Sequence, residues 1–186
     1  CDACVTSGNV FDIAQKLPGK ELIFVPDMLM AQNLEAELKR RGTPKKIISS
    51  GGSCCVHDKY RPEHVKKMRA DYPGISVVAH PECPIEVCEL CDYVGSTKGM
   101  ASYVARTQAP VYGMLTEFGL VNRMEAEHPD KKFIWPFGVC SYMKRNTLAN
   151  TLQALADPLP AQTVSVDEQT AAAARKAIEK MFELAQ

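Results

Sequence analysis

The sequence carries no surplus of charge of either sign. Lys and Arg number 22, Asp and Glu number 22, and the formal net charge is zero. Gripping nucleic acid or an anionic membrane takes a basic excess, so neither is expected as a partner. Long hydrophobic runs are also missing. The longest, such as LIFV, are strand-sized, and nothing approaches a membrane span. The opening stretch lacks the basic segment and long apolar core of a secretory leader, and a cytoplasmic chain is expected. Residue 1 is Cys rather than Met, so the numbering is expected to begin inside a longer polypeptide.

Cysteine is what the chain has in quantity, eight in 186 residues. Without a secretory leader these are not read as a disulfide scaffold. They are buried small hydrophobes, metal ligands or nucleophiles. Hydrophobic residues make up 46% and charged residues 24%, as in ordinary soluble globular chains of one domain or two small ones.

Short apolar runs alternate with helical patterns. Strands are expected near 21–25, 46–49, 75–79, 92–94, 111–115 and 132–135. Helices are expected near 9–16, 28–41, 61–71, 84–91, 97–107 and 117–127, followed by two more at 146–156 and 166–186. Such alternation predicts an α/β fold with parallel sheets and crossover helices. Asp167 is the expected N-cap of the last helix, and Pro158 and Pro160 punctuate the link before it.

The chain also repeats itself. KKIISSGGSC (45–54) resembles KKFIWPFGVC (131–140), and CVTSGN (4–9) resembles YVGSTK (93–98). The two matches run in the same order at nearly the same offset, which suggests two copies of one α/β unit. The first copy then lacks the opening strand and helix that 75–79 and HPE supply in the second. That again leads us to expect truncation at the N-terminus. The expected division is 1–73, carrying Cys54, then 74–140, carrying His-Pro-Glu, Gly-Ser-Thr and Cys140, then a C-terminal helical segment at 141–186.

In parallel α/β sheets, ligands bind just beyond the carboxyl ends of the strands. His80 and Glu82 follow one expected strand, Gly95-Ser96-Thr97 another, and Thr6-Ser7 holds the corresponding place in the first copy. Ser96 and Thr97 at a helix N-terminus suit a phosphate or carboxylate, or simply cap the helix. His80 and Glu82 suit proton transfer or hydrogen bonding to a polar substrate.

Cys83, Cys88 and Cys91 read C-x4-C-x2-C, the spacing of plant-type ferredoxins. A helix over 84–91 with Pro84 as its first residue would instead put Val87, Leu90 and Cys91 on one face, with Ile85 and Cys88 beside them. Packing is therefore expected there rather than ligation. Cys54 and Cys140 differ. Each lies in a glycine-containing loop past a strand, at the same point of the repeat, and units arranged about a pseudo-symmetry axis would bring those loops to a shared metal. Two thiolates are too few for an iron–sulfur cluster, so a further unit would have to supply another. Cys55 competes with Cys54, and only the repeat register separates them. His57 either faces this site or lies on a surface loop; the sequence leaves both open.

HPECPIEVCELCDYVGST closely resembles the His-Pro-Glu…Val-Gly-Ser-Thr signature of the quinolinate synthase (NadA) family. DACVTSGNVFDIAQKLP, IFVPDMLMAQNL, CCVHDKYRPEHV, YGMLTEFGLVNRM and CSYMKRNTLANTL resemble successive blocks of that family in the same order. The resemblance implies repeated three-layer αβα units with parallel sheets, pseudo-symmetric about a shared [4Fe–4S] cluster with one open iron. It implies Cys54 and Cys140 as two of the three cysteine ligands, the third belonging to an N-terminal unit absent from this sequence. It implies substrate contacts from Ser7, His57, His80, Glu82, Ser96 and Thr97, with His80 and Glu82 also catalytic. The implied reaction, a transferase step of NAD biosynthesis, condenses iminoaspartate with dihydroxyacetone phosphate. Iminoaspartate would come from an L-aspartate oxidase or dehydrogenase. The 186 residues by themselves are expected to be inactive. Two other readings remain: another three-unit [4Fe–4S] enzyme of the diphthamide-synthesis type, or a non-enzymatic metal-binding α/β module at Cys83, Cys88 and Cys91.

Overall fold

The computed structural model describes residues 1–186. They divide into two compact units, Val5–Val139 and the two ends together, Cys1–Cys4 with Cys140–Gln186.

In Val5–Val139 the order is α1 (Val10–Lys16), β1 (Glu21–Phe24), α2 (Met28–Arg40), β2 (Lys46–Ser49), α3 (Pro62–Asp71), β3 (Ser76–Ala79), α4 (Ile85–Cys88), β4 (Tyr93–Val94), α5 (Thr97–Arg106), β5 (Val111–Leu115), α6 (Phe118–Glu127) and β6 (Lys132–Ile134). Every expected strand and helix is present, with ends shifted by a residue or two except at α4. All strand pairs are parallel. β1 pairs with β2, and a separate four-stranded sheet runs β4-β3-β5-β6.

The four-stranded sheet is covered on both faces, because successive strand residues point to opposite sides. Val77, Ala79, Val111 and Leu115 face α3 and α4, meeting Val65, Met68, Val87 and Cys88. Val78, Tyr112, Met114 and Phe133 face α5 and α6, meeting Met100, Val104, Val121 and Met124. The central strand β5 is accordingly buried along its whole length. Gly113 keeps the α3 face flat: a Cβ there would lie 3.1 Å from Met68 Sδ and 3.2 Å from Ile75 Cδ1. The result is a three-layer αβα arrangement. The β1–β2 sheet packs Leu22, Phe24 and Ile47 against α1 and α2, whose Val10, Ala14, Met30, Leu34 and Leu38 fill a second core.

α4 is shorter than the helix expected over 84–91. Past Cys88 the backbone bonds tighten to Leu90 N–H onto Val87 O and Cys91 N–H onto Cys88 O. Arg69 then donates to Leu90 O, and Asp92 Oδ2 accepts from Val77 N–H, which pulls the chain into β4. Leu90 is therefore exposed rather than on a buried face, and Pro84 caps the helix instead of starting it.

The other unit contains α7 (Leu148–Ala156) and α8 (Glu168–Leu184). Thr147 caps α7 by accepting from Asn150 N–H, and Asp167 caps α8 by accepting from Thr170 N–H. Cys4 N–H donates to Ala177 O and ties the first residues to α8.

Candidate functional site

In the four-stranded sheet the chain leaves β3 toward β4 on one side and leaves β5 toward β6 on the other. The crevice between the carboxyl ends of β3 and β5 is the switch point at which open α/β sheets bind ligands. His80 and Thr116 are the first residues past those two strand ends. His80 N–H donates to Leu115 O across the crevice. His80 then starts a tight turn, in which Cys83 N–H returns to His80 O and places Glu82 back over the crevice. Asn33 of α2 fixes this turn, its amide donating to Pro81 O and Cys83 O at 2.8 Å each.

A single 3₁₀ turn, His57–Lys59, brings the loop after β2 to the same place. His57 is buried and its ring stacks on that of His80, with centroids 4.6 Å apart and planes 20° from parallel. The question the sequence left open is thereby answered: His57 faces inward. Its Nδ1 lies 3.2 Å from Cys54 Sγ and 2.9 Å from Glu82 Oε2, and its Nε2 lies 3.3 Å from Thr116 Oγ1. Cys54, His57 and Glu82 present their ligand atoms within 4.8 Å of one another.

The electrostatics follow from this geometry. Burial opposes charge on His57, but hydrogen bonds to Cys54 and Glu82 outweigh it and push the ring up to about 9. Burial likewise opposes the Cys54 thiolate and the Glu82 carboxylate, and their hydrogen bonds to His57 hold both below their ordinary values. His80 moves the other way, down to about 4, through burial and the charge on His57. The His80 Nδ1 is 3.5 Å from Glu82 Oε2, but it accepts from Glu82 N–H, so the contact is not an ion pair and the ring is neutral. At neutral pH the site holds an imidazolium at His57, a carboxylate at Glu82 and a neutral imidazole at His80, with the Cys54 thiol drawn toward its thiolate by His57.

Five supporting residues escaped sequence reasoning. Asp27 is buried at the end of β1, where Oδ1 caps α2 through Met30 N–H at 2.7 Å and Oδ2 accepts from Cys54 N–H at 2.9 Å. Burial raises its pKa. Thr116 orients His57. Tyr60 donates its hydroxyl to Thr116 O and Phe137 O, at 2.9 and 2.6 Å, and so ties the loop after β6 to the rim. Gly138 in that loop has φ +133°, and a Cβ there would lie 2.7 Å from Thr116 O. Asn33 completes the set. Asp27 and Thr116 stand past strand ends, so the rule that picked out His80 would have found them. Tyr60 and Asn33 act across long sequence separations and leave no local signal.

The remaining expected residues lie elsewhere. Ser7 and Ser96 line a separate cavity of about 430 Å³ with Arg41, Tyr93, Lys98 and Gly99. Ser96 Oγ is the N-cap of α5, accepting from Gly99 N–H at 3.1 Å, and Thr97 is the exposed first residue of that helix. Cys140 belongs to the other unit, where its Sγ accepts from Met143 N–H at 3.5 Å. The C-x4-C-x2-C run does not converge as a ligand set. Cys83 Sγ points at Leu115 O, Cys88 Sγ at Cys83 O and Cys91 Sγ at Val87 O. Burial pushes the Cys83 thiol far up, and the Cys88 and Cys91 thiols up to about 12 each. These are packing cysteines.

Residues 1–183 match the family profile described as NadA, Quinolinate synthetase A protein. The chain belongs to this quinolinate synthetase A family. Among curated relatives it is 38% identical to Quinolinate synthase 1 of Mesorhizobium japonicum, over 97% of this chain and 54% of the relative. It is 36% identical to the Quinolinate synthase of Agrobacterium fabrum, over 98% and 51%, and 35% identical to that of Clostridium novyi, over 98% and 59%. The chain thus spans about half the length of the quinolinate synthases it matches. No helix is long and apolar enough to cross a membrane.

Proposed function

We propose that this chain carries the larger part of a quinolinate synthase site, belonging to a transferase of NAD biosynthesis that condenses iminoaspartate with dihydroxyacetone phosphate. The single observation that supports it most is the convergence of Cys54, His57 and Glu82 beside the stacked His80 at the sheet's switch point, in a chain that matches the family along nearly its whole length. On this reading 1–73 and 74–140 are two repeated units and 141–186 is a helical appendage. Iminoaspartate reaches it in the cytoplasm from an L-aspartate oxidase or dehydrogenase, with no nucleic-acid or membrane partner.

Cys54 and Cys140 would hold a [4Fe–4S] cluster, with a third cysteine from outside these 186 residues. The donor chemistry at Cys54 suits that role, since its thiol is already held toward the thiolate by His57. When bound, such a cluster supplies an open iron as a Lewis acid. The chain's own residues supply the rest. His80, neutral with Nδ1 occupied by Glu82 N–H, offers its Nε2 proton to a substrate oxygen. The Glu82 carboxylate and the His57 imidazolium share one mobile proton at Nδ1, 2.9 Å from Oε2. Water loss and ring closure both require a proton carrier of this kind. Ser7, before α1, and Ser96 and Thr97, at the start of α5, would receive the phosphate or a carboxylate.

The test is a chimera in which these residues replace the matching half of the Mesorhizobium japonicum relative. We expect it to form quinolinate from iminoaspartate and dihydroxyacetone phosphate. His80→Ala and Glu82→Gln should each lower turnover by about 10²-fold or more while iron content is kept. Turnover within twofold of the parent chimera in both variants would overturn the assignment. The 186 residues alone, with two candidate thiolates, are expected to take up iron substoichiometrically and to form no quinolinate.

A further inference from the structure

We propose that a cavity between the 3₁₀ turn after β2 and the loop after β6 is a binding site for a planar aromatic carboxylate. It lies within Val5–Val139, and neither Cys54 nor Cys140 lines it. The inference is therefore independent of the cluster assignment and of the quinolinate reading.

Volume and lining set the ligand class. The cavity measures about 440 Å³, and small-molecule sites run from about 300 to 1,000 Å³. Val56, Trp135, Phe137 and Val139 make its walls apolar and aromatic, which suits a flat ring. Lys59, which is exposed, is the one charged side chain in the lining, which suits an anion.

A second observation asks for an acceptor. Trp135 Nε1 is the only buried side-chain nitrogen or oxygen in the chain with no hydrogen-bond partner. An indole N–H can only donate, and buried donors are nearly always paired. A carboxylate brings acceptors for both this N–H and the Lys59 ammonium.

The walls are held before any ligand arrives. Trp135 packs on Phe118 with ring centroids 4.5 Å apart, and Phe137 stacks on Tyr60 at 4.8 Å. Phe118 N–H donates to Gly138 O, and the Tyr60 hydroxyl donates to Phe137 O. A Cβ on Gly138 would lie 3.2 Å from Val56 Cγ1, so the two sides of the cavity meet there. Walls fixed in this way lower the ordering cost of binding.

Trp135 is the only tryptophan in the chain, so intrinsic fluorescence reads this cavity. The 186-residue chain would be titrated with quinolinate, the product of the proposed reaction, and with benzoate, an aromatic monocarboxylate. Calorimetry would give each affinity independently. We expect one saturable site with a change in Trp135 emission. Benzamide, which keeps the ring without the charge, and succinate, which keeps the charge without the ring, should each bind about 10-fold more weakly or worse. Lys59→Ala should weaken the tighter acid about 10-fold, and Trp135→Phe, read by calorimetry, by a similar factor. Ser96→Ala and His80→Ala should leave it unchanged. Far-UV circular dichroism identifies loss of fold; if Trp135→Phe unfolds, Lys59→Ala decides. Tighter quinolinate names the product as the occupant and tighter benzoate an aromatic monocarboxylate, and either supports the site. No saturable change with either acid, or unchanged affinity in folded Lys59→Ala or Trp135→Phe, would overturn it. Loss of binding in Ser96→Ala or His80→Ala would overturn it while leaving the quinolinate reading standing, because the ligand would then occupy the proposed substrate site.

Discussion

The two sheets of Val5–Val139 are built from the same local pattern and end up differently covered. β1, Asp27 and α2 follow one another as β5, Glu117 and α6 do, each with an acidic side chain capping the helix, through Met30 N–H and Gly119 N–H respectively. The helix after each strand packs on the same kind of face, Leu22 and Phe24 in one sheet, Tyr112 and Met114 in the other. Beyond that the resemblance stops. The four-stranded sheet has α3 and α4 on its second face, whereas the second face of β1–β2 leaves Ile23, Val25 and Ile48 exposed at 80%, 56% and 43%. Parallel sheets are normally covered on both sides. The comparison teaches that strand-end chemistry and core formation are separable. Both sheets deliver polar groups to the same site, yet only one has a complete core.

The largest effect should separate the two sheets by stability. Met114→Ala, in the covered sheet, should cost about 2–5 kcal/mol in urea unfolding. Ile23→Ala should stay within about 0.5 kcal/mol, and equal losses would break the comparison. A smaller effect tests the loop pinned over the β5 end. Gly138→Ala should cost about 1–3 kcal/mol, more than Gly42→Ala, which shares a positive φ of +75° but would meet nothing within 4 Å. Smaller again are the caps. Ser96→Ala should cost about 1 kcal/mol. Asp27→Ala should cost more than that, because its second oxygen also holds Cys54 N–H; equal losses would mean that the Cys54 contact is dispensable.

The elements were legible because each strand is a short apolar run and each helix an amphipathic one. His80 and Glu82 were legible because the strand-end rule needs only the strand. His57 was not, since whether a loop histidine is buried depends on His80 and Thr116, which pack on it from distant parts of the chain. Asp27 also stands past a strand end, but its contact with Cys54 N–H joins two distant loops and leaves no local signal. The cysteine spacing at 83, 88 and 91 pointed toward a metal, and only the helical alternative set against it. The structure turns those sulfurs onto backbone carbonyls and leaves Cys54 as the thiol beside His57 and Glu82.

The measurement that tests this account most directly is iron content in single cysteine variants of the chimera with the Mesorhizobium japonicum relative. Cys54→Ser should lose the cluster iron, and Cys88→Ser should keep it. Iron retained in Cys54→Ser and lost in Cys88→Ser would contradict the placement of the metal.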